Sequence, residues 1–214
     1  MFLIMREIEK HPIEIGFVKK GIKTLIVGTF PPKEIYENNE HFFFYSSVRN
    51  HFWNRMENIF PECKLKKTQT KCIEVSLEQN KIDKANFSIE KKIGFLDIFS
   101  KINRIKNSSK DDDLICVENI VENNKLDKVI NENKSLKRIC CTYKLAFEVL
   151  RCKIEKNKLS IIEDSISANG QKMIYQFGKR RIEIYLLYPA TRSREKSEIK
   201  DKQYAKLLFN KAIC

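Results

Sequence analysis

The side chains best suited to bind a metal ion are too scattered in this sequence to predict a metal centre. The three histidines show no H-x-x-x-H spacing and lie near no cysteine pair. The seven cysteines are odd in number and contain no C-x-x-C pair, which favours reduced thiols over disulfides or zinc ligands. The acidic run at residues 111–113 has no second cluster to complete a nuclease-type metal site, so we interpret it as a cap or an exposed loop. We expect chemistry without a metal or a cofactor.

The basic side chains give the first positive indication of a partner. The chain carries 41 Lys and Arg against 28 Asp and Glu, a formal net charge of +13, and a field of that sign attracts polyanions such as nucleic acid. Coding bias in an AT-rich genome would give the same lysine excess. A basic rim that contacts phosphates would be formed by Arg192, Arg194 and Lys196 together with residues 179–181 across a strand. The alternative is that these side chains form a solvated charged face.

Length and composition bound the architecture. Hydrophobic residues make up 42% and charged residues 32% of 214, as in globular proteins. The longest apolar runs are far below the roughly 18 to 20 residues that cross a bilayer, and the first residues lack a signal-peptide core. We expect one domain over residues 1–214, cytoplasmic and independent of membranes, with a Lys-rich peripheral segment at about residues 63–92.

Apolar runs that end at glycine or proline predict the strands that would carry a site. Residues 24–27 form a buried run that ends at Gly28, and residues 182–188 form another that ends at Pro189. A third strand is predicted over residues 136–142. Helices are predicted at residues 50–60, 143–150 and 198–211 and from Leu114 onward. This alternation implies a mostly parallel α/β sheet that binds ligands at the carboxyl ends of its strands, near residues 28–32, Thr142 and residues 189–193.

The segments at the first of these strand ends resemble a known motif. Residues 28–32 (GTFPP) and residues 41–53 (HFFFYSSVRNHFW) resemble the first motif of the uracil-DNA glycosylase superfamily, closest to its mismatch-specific and hypoxanthine-DNA glycosylase branches. In that motif a strand ends in G-x-x-P, and an aromatic loop leads to N-x-F-W at a helix start.

Two later segments agree with the same family in order. Residues 94–98 (GFLDI), with Asn103-Arg104 and Ser108-Ser109 after them, resemble its G-[IL]-x-D-[IV] stretch and the R-x-x-S-x-D continuation. Residues 188–193 (YPATRS) are similar to its proline-led DNA-insertion loop. Together the matched segments extend from about residue 11 to residue 209.

The resemblance implies a fold and a reaction. The fold is a three-layer α/β/α sandwich around a short, mostly parallel four-stranded sheet. The reaction is base-excision DNA repair: a deaminated base, uracil or hypoxanthine, is flipped out of DNA and its N-glycosidic bond is hydrolysed by a monofunctional, metal-free enzyme. Flipping costs a few kcal/mol, which stacking and phosphate contacts offset. The expected partner is damaged or mismatched DNA, duplex or single-stranded, bound by a nucleoid-associated monomer.

The resemblance also implies roles for individual residues. Asn50 matches the family's catalytic Asn, whose amide could orient water or donate to a base carbonyl; the alternative is a helix N-cap. Phe52 and Trp53 are interpreted as core. The base pocket would be formed by Gly28, Thr29, Phe30, Pro31, Phe44, Tyr45 and Thr142. DNA would be contacted by Pro189, Ala190, Thr191, Arg192, Ser193 and Arg194.

Three positions depart from the family pattern. Phe30 stands where the first motif often carries a water-orienting Asp or Asn. Thr142 replaces an Asn that reads the edge of the base, and one hydroxyl cannot reproduce an amide's donor and acceptor pair. Tyr188 replaces a His that stabilises the base anion in the uracil-specific branch, so activity as strong as that of the uracil-specific branch is not expected.

Two other classes of function stay open at this stage. One is a nucleic-acid-binding module of the same fold with an inactive site. The other is a nuclease, which would break strands without alkali and stop in a chelator. Turnover of an oligonucleotide that contains deoxyuridine or deoxyinosine distinguishes the glycosylase, the binding module and the nuclease.

Overall fold

The chain folds into a mixed α/β structure, described here from a computed structural model. The described residues are 8–13, 16–37, 43–47, 50–63, 65, 77–105, 111–156, 161–163, 168, 170–190 and 197–213. The helices are α1 (Lys33–Tyr36), α2 (Phe52–Ile59), α3 (Leu77–Glu90), α4 (Lys125–Glu132), α5 (Lys144–Lys156) and α6 (Ser197–Phe209). The strands are β1 (Glu9–Lys10), β2 (Thr24–Gly28), β3 (Ile93–Asp97), β4 (Phe99–Arg104), β5 (Leu114–Asn119), β6 (Arg138–Cys141), β7 (Ile161–Glu163), β8 (Gln171–Phe177) and β9 (Arg180–Leu186).

The main sheet is larger than the sequence predicts. Its order is β3-β2-β6-β9-β8-β7, so the described part has six strands instead of four. Strands β3, β2, β6 and β9 are parallel, and β8 and β7 are added antiparallel. The addition starts at a two-residue turn, where Gly178 has a φ of 59° and Phe177 pairs with Arg180. The sequence does not predict strand β8, because polar residues interrupt the alternation of its apolar residues.

A second, three-stranded antiparallel sheet has the order β1-β4-β5. Its edge strand is β5, so the helix that the sequence predicts from Leu114 is wrong. Residues Asp111–Asp113 form a short 3-10 turn instead of a helix cap, and the β-branched Ile115 and Val117 then continue as a strand paired with β4.

Helices cover both faces of the main sheet, because successive strand residues point to opposite sides. Leu25 and Val27 of β2 belong to a cluster that includes residues of α4 and α5. Ile26 between them belongs to a second cluster, with residues of α2, α3 and α6. Strand β2 is buried at all five positions and is the centre from which both clusters extend.

The basic residues 179–181 lie at the wrong end of the sheet to join the rim that the sequence suggests. They open β9, whereas Pro189 follows its carboxyl end, roughly 20 Å away at the usual strand rise. The Arg180 guanidinium donates to the carbonyl oxygens of Ile130, Asn133 and Leu136 at 2.8 to 3.0 Å. Arg180 therefore holds the carboxyl end of α4 against the sheet.

The Lys-rich segment, which the sequence places at the periphery, contains helix α3 with a polar buried face. Asn80, Lys84 and Ser88 share that face at steps of four residues. Lys84 Nζ donates to Ser46 Oγ at 3.0 Å and lies 5.5 Å from the centre of the Trp53 ring. Its pKa falls to about 7, because burial penalises the ammonium. Apart from Phe87, the buried side chains of α3 are those of Asn80, Lys84 and Ser88, which give almost no apolar periodicity, so the sequence does not predict the helix.

The contacts of Arg180 predict a loss of stability on a conservative change. In Arg180→Lys a single ammonium replaces the planar fork that reaches three carbonyls, so we expect the free energy of unfolding to fall by about 1 to 3 kcal/mol in urea denaturation. Arg181→Lys, at the exposed neighbouring position, is the matched control and should unfold like the wild type. Equal effects of the two substitutions would show that the capping bonds contribute nothing.

Burial of Lys84 predicts a specific dependence of stability on pH. Below about pH 7 both states hold the proton and the burial penalty is complete. Between pH 7 and the ordinary lysine pKa of 10.5, the unfolded chain keeps a proton that the folded protein has released, so stability rises with pH. The slope is at most about 1.4 kcal/mol per pH unit.

Lys84→Met should remove this rise and be more stable than the wild type at pH near 7. Urea denaturation at several pH values measures the slope, with the exposed substitution Lys128→Met as the control that keeps it. An unchanged slope in Lys84→Met would mean that Lys84 titrates normally.

Candidate active site

The carboxyl ends of the four parallel strands bring the predicted site segments to one edge of the sheet. Strand β2 ends at Gly28, β6 is followed by Thr142, and β9 leads to Pro189 and Ala190. The parallel pairings β3·β2, β2·β6 and β6·β9 fix this convergence. This edge is where open α/β sheets bind ligands, so its polar groups form a candidate active site.

Gly28 allows two polar groups to approach the end of β2. It is the register partner of Asp97. A Cβ atom at position 28 would overlap Asp97 Oδ1 and lie 2.9 Å from the Tyr45 hydroxyl oxygen. Any side chain here would therefore push the carboxylate and the phenol away from the strand end, and only glycine leaves that space open.

The next three residues of this motif are largely committed to the fold. Thr29 is buried and its carbonyl accepts from the Phe99 N–H at 3.2 Å. Phe30 is in the core, with its ring edge-on to that of His11 at 5.2 Å between centroids. The Pro31 carbonyl accepts from Arg104 Nη2 at 3.1 Å. In the structure these residues brace the loop after β2.

Of the two aromatic residues considered for base stacking, Phe44 is in the core. Its side chain is 1% exposed and its ring stacks against Phe95 and His11, with centroids 5.7 and 5.8 Å away. The carbonyl of Phe44 accepts from Trp53 Nε1 at 2.8 Å. Phe44 cannot offer a free face to a ligand, which corrects the prediction of a pocket wall at this position.

Tyr45 brings a hydroxyl to the strand ends. Its φ of 58° is in the left-handed region, and its ring stacks on Phe52 at 4.8 Å. The Tyr45 hydroxyl and Thr142 Oγ1 are 3.0 Å apart and share a hydrogen bond. Burial, followed by the negative charge of Asp97, raises the Tyr45 pKa well above its usual value. The hydroxyl therefore keeps its proton to higher pH than that of an ordinary tyrosine.

Asn50 lies one residue before His51, the N-cap of α2, and contacts both the start of that helix and the end of β6. Its Oδ1 accepts from the backbone N–H of Phe52 at 2.9 Å, at the start of α2. Its Nδ2 donates to the hydroxyl of Tyr143, the residue after Thr142, at 3.4 Å. The two ends of the amide thus have different partners, and the Nδ2 end is directed to the end of β6.

The loop after β9 is anchored beside Asn50. The Ala190 carbonyl accepts from the His51 N–H at 2.7 Å, and the Tyr188 carbonyl accepts from the Tyr204 hydroxyl at 2.8 Å. Pro189 is exposed and Ala190 is buried. The other predicted DNA-contacting residues, Thr191, Arg192, Ser193 and Arg194, lie outside the described residues.

The sequence did not indicate one polar pair at this edge, His11 with Asp97. His11 Nε2 and Asp97 Oδ2 are 3.0 Å apart, and both residues are buried. Asp97 lies in the quoted G-x-x-D stretch, but no local pattern connects it to a histidine 86 residues earlier in the chain. The pairing of β1 with β4 and the bridge between Phe17 and Phe95 place the segment that carries His11 beside the end of β3.

The described residues contain no group of three or more His, Cys, Asp or Glu side chains arranged to hold a metal ion. Among the described helices, none has both the length and the apolar character that a bilayer span requires.

Comparison with known proteins supports the fold. No family model and no curated protein matches the sequence. Among solved structures, that of a candidate uracil DNA glycosylase from Methanosarcina acetivorans, determined by solution NMR, aligns with 91% of this chain and 95% of its own, with a TM-score of 0.54 and 17% sequence identity. At that identity the similarity concerns the fold alone. The chain therefore has a fold similar to that of a candidate uracil DNA glycosylase.

Proposed function

We propose that this protein is a monofunctional DNA glycosylase that removes a deaminated base, uracil or hypoxanthine, by metal-free hydrolysis. The observation that carries the proposal is that two hydrogen-bonded pairs lie at the strand ends: Asn50 Nδ2 with the Tyr143 hydroxyl, and the Tyr45 hydroxyl with Thr142 Oγ1. The similarity of fold supports it. Helices on both faces of the main sheet agree with a three-layer α/β/α arrangement.

The chemistry of the bond explains why such groups are needed. When the N-glycosidic bond breaks, negative charge develops on the departing base, and neutral donors fixed in advance stabilise it. Asn50 Nδ2 is one such donor, and the Tyr45 hydroxyl is a second, which would exchange its bond to Thr142 Oγ1 for one to the base. Thr142 Oγ1 itself is buried and donates to the Val27 carbonyl at 3.3 Å.

The loop after β9 is suited to hold an opened duplex. Its first residues are fixed next to Asn50 by the His51 bond to Ala190. A side chain from residues 191–194 inserted into the base stack would therefore act beside the catalytic amide. We propose that Arg192 is inserted and that Thr191, Ser193 and Arg194 contact the flanking phosphates, in a chain whose net charge of +13 favours DNA.

The pocket is expected to accept more than one deaminated base. Thr142 has a single hydroxyl, which is buried and donates to the Val27 carbonyl, so it does not distinguish a uracil edge from a hypoxanthine edge by a paired donor and acceptor pattern. A panel of oligonucleotides with one lesion each, treated with alkali after incubation, would rank the substrates.

An inactive DNA-binding module is the second candidate, because Asn50 Oδ1 is already engaged by the Phe52 N–H and Phe30 packs an apolar ring into the core where the family's first motif often carries Asp or Asn. The alkali assay separates the candidates. Alkali-dependent cleavage at the lesion supports the glycosylase, and DNA binding without cleavage supports the module. Strand breaks without alkali that disappear in a chelator would indicate a nuclease.

The two contacts of Asn50 allow its roles to be separated by substitution. Asn50→Asp keeps an oxygen for the Phe52 N–H but loses the Nδ2 donor, so single-turnover cleavage should fall at least about a hundredfold. Its free energy of unfolding should stay within about 1 kcal/mol of the wild type. Asn131→Asp, an exposed change of the same kind, is the control. Wild-type cleavage by Asn50→Asp would restrict Asn50 to capping.

Binding to DNA should weaken steeply as salt rises. Each neutralised phosphate contributes a slope of about −0.9 to log K against log salt, so a site with at least four contacts should lose about a hundredfold in affinity over a fourfold rise in salt. Fluorescence anisotropy with a duplex that carries a tetrahydrofuran abasic analogue measures this slope. An affinity independent of salt would remove DNA as the partner.

A further inference from the structure

The space above Gly28 has a carboxylate on one side and a phenol on the other. Asp97 Oδ1 lies so close to Gly28 that a Cβ there would overlap it, and the Tyr45 hydroxyl lies 2.9 Å from the same point. The φ of Gly28 is not in the left-handed region, so the backbone itself would accept alanine. The requirement for glycine comes from the two polar groups and not from the turn.

The two oxygens of Asp97 have different surroundings. Oδ2 is bound by His11 Nε2 at 3.0 Å. Oδ1 has no hydrogen-bond donor among the described residues and lies at the space above Gly28. The Asp97 side chain is 9% exposed.

His11 is held in place more firmly than a histidine that merely fills the core. Its Nδ1 lies 3.0 Å from the Ile13 backbone nitrogen and 2.8 Å from the Ile13 carbonyl oxygen. Its ring packs against Phe30 and Phe44. With the imidazole fixed on both sides, the bond from Nε2 sets the orientation of the Asp97 carboxylate.

We propose that Asp97 is the catalytic carboxylate of this site and that His11 is its positioning residue; this rests on the proposed glycosylase function. In the step, the oxygen of a water molecule bonds to C1′ of the deoxyribose while the C1′–N bond breaks and its electron pair leaves on the base nitrogen. One proton of the water passes to Asp97 Oδ1 and then to solvent, and the base anion takes a proton from solvent.

The placement divides the reaction between two groups. Asn50 and the hydroxyls beside it bind the base, where negative charge develops. Asp97 lies on the neighbouring strand end, where its charge stabilises the positive sugar and its oxygen accepts the proton of the water. Loss of Asp97 should therefore slow bond cleavage without weakening DNA binding.

The main test is Asp97→Asn in single-turnover cleavage of oligonucleotides that contain deoxyuridine or deoxyinosine. Its amide oxygen can still accept from His11, so the fold should persist. We expect the rate to fall at least about a hundredfold, and the affinity for the tetrahydrofuran duplex to stay within about twofold. The control is Asp112→Asn, which makes the same charge change at an exposed position and should cleave normally.

Two further measurements distinguish catalysis from structure. In Asp97→Ala, added formate should restore cleavage in proportion to its concentration, whereas Asn50→Ala should not respond to it. For the positioning role, His11→Gln keeps a donor for Oδ2 and should cleave at least about ten times faster than His11→Leu.

The outcomes separate this proposal from the one it rests on. If the wild type cleaves neither lesion, the glycosylase function fails and Asp97 fails with it. If the wild type cleaves and Asp97→Asn cleaves as fast, only the role of Asp97 is overturned. Should Asp97→Asn not fold, Gly28→Ala is measured instead, because its Cβ displaces Asp97 Oδ1, together with the Tyr45 hydroxyl, without changing Asp97. A wild-type rate in Gly28→Ala would then overturn the proposal.

Discussion

The close approach over Gly28 is the constraint on which the site depends. Strand β2 is buried along its whole length and is paired on both sides, so its end cannot move to accommodate a side chain. Because Gly28 has none, the Asp97 carboxylate and the Tyr45 hydroxyl can both reach the strand end. The loop directs the ring of Phe44 into the core and the hydroxyl of the next residue, Tyr45, to Thr142. This sharp turn places the backbone of Tyr45 in the left-handed region.

The net charge of the chain and the side chains at the strand ends have different roles. The net charge of +13 provides a long-range field for a polyanion, while the described side chains at the strand ends are mostly neutral hydroxyls and amides around one carboxylate. Burial keeps the Tyr45 phenol protonated. The buried Lys84 of α3 donates to Ser46, the residue after Tyr45, and this hydrogen bond fixes the segment that carries Tyr45. Lys84 has no acidic partner among the described residues.

Sequence patterns were sufficient for the elements that are regular and local. The runs before Gly28 and Pro189 predicted β2 and β9, and the apolar spacing after Asn50 predicted α2. Features that depend on distant pairing have no local signal: strand β5 is formed by its pairing with β4, and Arg180 caps the carboxyl end of α4 instead of joining a phosphate-binding rim. The His11 contact to Asp97 spans 86 residues and has no local signal. Phe44 shows the same limit, because four consecutive aromatics do not reveal which ring the loop leaves accessible.

The central claim is that DNA binds at the carboxyl ends of the parallel strands, and chemical-shift mapping tests it most directly. The protein, labelled with nitrogen-15, would be titrated with the tetrahydrofuran abasic duplex. The account predicts that the largest amide shifts occur at Thr29, Tyr45, Asn50 and Thr142. Shifts concentrated instead at the Gly178 turn, at the opposite end of β9, would contradict it.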